Sequence, residues 1–163
     1  MIPGVAPRAI LVVASCLVAL AGCGGSGSHD TVPGGADTSD VQVIKAWADE
    51  LRAGDVEAAT DRFQLPAVVA NGTAPLTLTS RRQVLAFNQS LPCGARLTRA
   101  ETSGRFIVAT FVLTERPGPG ECGSGVGQTA RTAFAIRGGK ISEWRRVANV
   151  PPPTEPQGTS PII

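Results

Sequence analysis

The chain has 163 residues, with 15 Lys and Arg against 13 Asp and Glu, a formal charge of +2 at neutral pH. No basic tract stands out, which argues against a nucleic-acid partner. His29 is the only histidine and tyrosine is absent, so no Ser/His/Asp set, phosphate loop or metal-ligand cluster occurs and no cofactor is implied.

The first element is a leader. Arg8 is its single charge, and Ala9 to Ala21 form a mostly apolar run. That run is too short for a membrane-spanning helix, which needs roughly 20 residues. Leu20-Ala21-Gly22-Cys23 then resembles the lipobox of bacterial lipoproteins. The resemblance implies that residues 1–22 are a lipoprotein signal peptide and that Cys23 becomes the first mature residue. Its thiol would take a diacylglyceryl group, making membrane lipid a partner and the extracytoplasmic face of the cell membrane the location. Two or three acyl chains anchor stably where one is marginal. The alternative is an ordinary signal peptide cut near Gly22. Loss of Arg8 with the leader lowers the formal charge to +1.

Residues 23–38 are rich in Gly, Ser, Thr and Asp and read as a flexible tether. Cys16 leaves with the leader and Cys23 is lipidated, so Cys93 and Cys122 remain as an even pair in an oxidising compartment. A disulfide is expected; separate thiols or metal ligands are the alternatives.

Residues 39–149 form one small domain. Ser39 and Gln42 have capping-box spacing, so a helix should start near Asp40 and carry Val41, Ile44, Ala48 and Leu51 on one face, with Trp47 beside them. Gly54 ends it. Asp55 caps a second helix holding Val56, Ala59 and Phe63, closed by Pro66. Leu76 to Leu78 suggests a short strand, and Ser80 with Gln83 starts a third helix that stops before Pro92. Strands are expected over Ala95 to Thr102, Arg105 to Glu115, Gly127 to Arg137 and Lys140 to Val147. Ser103-Gly104 and Gly138-Gly139 supply the hairpin turns. Helices followed by an antiparallel meander read as α+β, with the helices on one sheet face. Residues 150–163 are a Pro-rich tail, extended or disordered.

This order of elements, with Trp47-Ala48-Asp49-Glu50-Leu51-Arg52-Ala53-Gly54-Asp55 and Gly139-Lys140-Ile141-Ser142-Glu143-Trp144, resembles the nuclear-transport-factor-2-like (SnoaL-like) superfamily. The resemblance implies a cone-like, cystatin-like roll: N-terminal helices packed on a curved antiparallel sheet around a pocket. Lipid-anchored versions of this kind are common among secreted proteins of actinobacterial type. Members include cyclases, isomerases, dehydratases, hydrolases and non-catalytic binding domains, so the fold does not name the function.

Enzymes of the superfamily place a carboxylate in the pocket, which makes Glu143 and Asp61 the catalytic candidates here. A hairpin built on Gly138-Gly139 with strict alternation opposes Phe134 to Glu143 and Thr132 to Arg145. Ile136, Phe134, Ile141, Glu143 and Arg145 then share the core face, with Trp144 and Arg146 opposite. A slip of one residue swaps the faces. Trp47, Phe87, Phe111, Phe134, Glu143 and Arg145 are the ligand-binding candidates. Together these point to a non-catalytic domain that binds a small apolar ligand or an envelope protein. The alternatives are a SnoaL-type acid/base enzyme and an accessory domain that forms a homodimer through its open sheet face.

Overall fold

The computed structural model describes residues 36–149. The leader, Cys23, most of the tether and the tail after Asn149 lie outside them. No helix among the described residues is long and apolar enough to cross a membrane.

Helix α1 spans Thr38–Ala53. It starts earlier than the Ser39/Gln42 spacing suggested, because Asp37 is the cap: its carboxylate accepts from the Ser39 amide at 2.8 Å and the Asp40 amide at 3.4 Å. Gly54 ends α1 at φ 85°, donating to the carbonyls of Glu50 and Leu51. Asp55 caps α2, Val56–Asp61, through the Ala58 amide. The second helix is shorter than expected. Phe63 belongs to strand β1, Phe63–Ala70, and not to α2. The cause is tertiary: the Ile141 amide donates to the Arg62 carbonyl at 2.8 Å, and the strand that follows buries Phe63, Ala67 and Val69. Pro66 also disfavours helix at Leu65.

Strand β2 is Leu76–Leu78, and α3 is Arg81–Gln89. The Ser80/Gln83 capping box forms in both directions. Strands β3, Gly94–Ser103, and β4, Phe106–Thr114, follow; their turn falls on Gly104-Arg105, one residue later than expected. Strands β5, Thr129–Arg137, and β6, Lys140–Val147, complete the set. Gly138 and Gly139 join them at φ 56° and 71°, the positive values that a twist-matched two-residue hairpin needs.

The six strands form one sheet in the order β2-β1-β6-β5-β4-β3. It is mixed and not wholly antiparallel, because β1 runs parallel to β6. The α2–β1 connection brings β1 in beside the last strand, so β2 and β3 are the edges of the sheet. Helix α1 packs on the inner face, and Ile44, Trp47, Leu51, Phe111, Phe134, Ile141 and Trp144 make the core.

The last hairpin departs from strict alternation. Ile136 pairs with Ile141, but Ala135 pairs with Glu143 and Phe134 with Trp144. Ser142 is the extra residue of a bulge, and its hydroxyl donates to the Ala135 carbonyl at 2.9 Å. Ile141 and Trp144 lie three residues apart, a spacing that alternation would send to opposite faces. The bulge turns both inward. Burying a tryptophan removes about 150–250 Å² from water, worth roughly 4–6 kcal/mol, whereas alternation would have buried the Glu143 carboxylate. That difference selects the register.

Candidate functional site

The helices leave part of the inner sheet face open. Between α1, the central strands and the segment before β3 lies a cavity of about 110 Å³. Its floor is made by Trp47, Ala48 and Leu51 of α1, Phe111 of β4, Ala130 of β5 and Trp144 of β6, all buried. Its rim carries Leu91, Pro92, Cys93 and Ala95 on one side and Asn71 and Arg146 on the other. Thr132 pairs across the strands with Arg146, and both face the cavity.

The two tryptophans differ in their polar ends. Trp47 Nε1 donates to Asn88 Oδ1 at 3.2 Å, Asn88 Nδ2 donates to Thr60 Oγ1 at 3.2 Å, and Thr60 Oγ1 donates to the Val56 carbonyl at 2.7 Å. This chain ties α1 to α2 and α3. Trp144 Nε1 is equally buried and has no hydrogen-bond partner. An unpaired buried N–H is destabilising by about 1–3 kcal/mol. The ring is held by edge contacts with Phe87 and Trp47, at centroid distances of 5.1 and 6.4 Å.

Cys93 and Cys122 form a disulfide across a sequence separation of 29, and Cys93 places it in the cavity rim. The Glu115 carboxylate accepts from the Cys122 and Gly123 amides, both at 3.2 Å, which fastens the loop after β4. Gly125 lies against both sulfurs: a Cβ there would stand 3.0 Å from Cys122 Sγ and 3.3 Å from Cys93 Sγ. Arg116 is buried beside the same loop, and its Nη2 donates to the carbonyls of Asn88 and Gln89 at the end of α3. Its Nε and Nη1 have no partner, and burial lowers its pKa.

No family model matches the sequence, and no curated protein matches it. Solved structures do resemble it. One is an NTF2-like protein of unknown function from Cytophaga hutchinsonii, at 8% identity and TM-score 0.52, covering 66% of this chain and 88% of that one. A second is an uncharacterized cystatin fold protein from Novosphingobium aromaticivorans, at 15% identity and TM-score 0.50, covering 67% of this chain and 97% of that one. The fold is cystatin-like. A de novo designed protein with a curved β-sheet is similar too, at 16% identity and TM-score 0.51, covering 68% of this chain and 85% of that one. At such identities the likeness is one of architecture alone.

Within the cystatin-like fold, the expected site residues separate into three groups. Trp47 and Phe111 line the cavity. Phe87 and Phe134 pack in the core and are not among its lining residues. Glu143 and Arg145 are a correction: the Ser142 bulge sends them to the outer sheet face, away from the cavity. There the Glu143 carboxylate accepts from Arg105 and from Arg145, the latter at 2.9 Å. The Arg105 hydrogen bond, followed by Arg145, holds Glu143 below the ordinary carboxylate pKa, opposite to what a general acid needs. Asp61 is exposed at the end of α2 and accepts from Arg81 Nε at 2.9 Å, which lowers its pKa. Among the described residues no three His, Cys, Asp or Glu side chains converge to hold a metal. Trp144 and Arg146 are the cavity residues that alternation sent to the wrong face. The signal for them was the three-residue spacing of Ile141 and Trp144, since only a bulge buries both.

Proposed function

We propose that this chain is a lipid-anchored extracytoplasmic protein whose domain binds a small apolar ligand and leaves it chemically unchanged. The observation that carries this reading is the cavity itself, open and apolar at its floor, with no carboxylate or imidazole among its lining residues. Acid/base turnover of a bound substrate needs such a group within hydrogen-bond reach. Glu143 and Asp61, the carboxylates considered for an enzyme of the SnoaL type, stand outside the cavity with arginine partners. Anchoring rests on Leu20-Ala21-Gly22-Cys23.

Native mass spectrometry of the full chain, released from the membranes of its own cells, tests the binding role. The expected result is a non-covalent adduct that is lost in Ala95→Phe, which adds a ring to the cavity wall. Bare protein in both samples would contradict the proposal. For the anchor, Cys23→Ser should move the protein from the membrane fraction to the soluble one or leave an unprocessed precursor. Unchanged retention with normal processing would refute it.

A further inference from the structure

We infer that the ligand is a monoanionic amphiphile: an apolar body of single-ring size on the tryptophan floor, with a carboxylate held at the rim by Arg146. This rests on the binding role proposed above and adds the ligand's chemistry. Three observations carry it.

First, Arg146 is the only ionisable residue of the lining, so the cavity carries one positive charge. Second, that charge is unspent. Arg62, Arg81, Arg105, Arg131 and Arg145 each pair with a carboxylate, whereas no carboxylate among the described residues pairs with Arg146. Third, the charge stands over an apolar floor. Arg146 is exposed while Trp144, two residues earlier on the same strand face, is buried. A molecule on Trp47 and Trp144 therefore meets the guanidinium as it leaves the cavity. The Thr132 hydroxyl, cross-strand from Arg146, and the Asn71 carboxamide on the rim supply further donors for a carboxylate. The size of the body follows from the volume. Engineered apolar cavities of about 150 Å³ hold benzene, so about 110 Å³ suits one ring or a short chain with its polar end outside.

The test uses a pair of probes with one body, 3-phenylpropanoate and 3-phenylpropan-1-ol. The protein is the full-length chain carrying Cys23→Ser, which removes the lipid attachment site and alters none of the described residues. The chain has 2 tryptophans and both line the cavity, so their intrinsic fluorescence reports occupancy directly. The acid should bind about tenfold more tightly than the alcohol, the size of one charge-assisted hydrogen bond near the surface. Arg146→Gln should abolish that preference, so that acid and alcohol bind alike, and Arg146→Lys should restore part of it. Equal binding of both probes by the wild type, or a preference that survives Arg146→Gln, would overturn the anionic assignment. Failure of both probes to bind would overturn the binding role itself.

Discussion

At the scale of single residues, two buried indoles predict different outcomes from one substitution. Trp47→Phe leaves Asn88 Oδ1 without its donor, while Trp144→Phe removes a donor that had no partner. Both lose similar packing. Trp47→Phe should therefore be the more destabilising by about 1–3 kcal/mol in denaturant unfolding; equal losses would contradict the hydrogen-bond assignment. Glu143 supplies a pH test. Its folded pKa is lowered from 4.5 by Arg105 and Arg145, so its contribution is present above the unfolded value and is lost as pH falls through the folded one. Wild type should exceed Glu143→Gln by about 1 kcal/mol at neutral pH. The gap should shrink as pH drops past 4.5 and close below it. Ligand binding should not change, because this carboxylate lies on the outer face. A binding loss in Glu143→Gln would restore its place in the site.

Among the elements, two bulges use one device. Thr98 is the extra residue between the Leu97 and Arg99 pairings, and its hydroxyl donates to the Thr110 carbonyl at 3.0 Å. Ser142 does the same for Ala135 at 2.9 Å. Each hydroxyl satisfies a carbonyl of the partner strand where the ladder is interrupted, and bulges of this kind bend and twist the strand they interrupt. Thr98→Val and Ser142→Ala should each be destabilising by about 1 kcal/mol, read from chemical unfolding; no change in either would remove the device. The disulfide joins the segment before β3 to the loop after β4, and replacing both cysteines by serine should lower stability by roughly 3–4 kcal/mol. A loss well under 1 kcal/mol would mean that the rim holds without it. These elements also show what a sequence can disclose. Ser80 with Gln83, Gly54, Asp55 and Gly138-Gly139 act through neighbours a few residues away, so local patterns located them. The end of α2 at Asp61 and the register of β6 depend on partners far along the chain, which no local pattern carries. Phe63 joins a strand because Ile141 is there to pair with it.

For the molecule as a whole, the α+β class and the helices on one face were legible from element order, and so was the cysteine pair from counting. The cavity was only half legible. Trp47 and Phe111 could be named as large apolar residues on core faces, but the polar members depend on sheet curvature and on one inserted serine. That serine exchanges Glu143 and Arg145 for Trp144 and Arg146, turning a site built around a carboxylate into one built around a cation. The central claim is that an apolar ligand occupies this cavity. The most direct measurement is the nuclear magnetic resonance of the two indole N–H groups in the full-length Cys23→Ser chain, with benzene as a neutral probe and Trp144→Phe to assign the signals. Saturable shifts of both indole signals in the parent chain, and none when Ala95→Phe is added, are the predicted result. Unmoved signals, or equal shifts with Ala95→Phe, would contradict it.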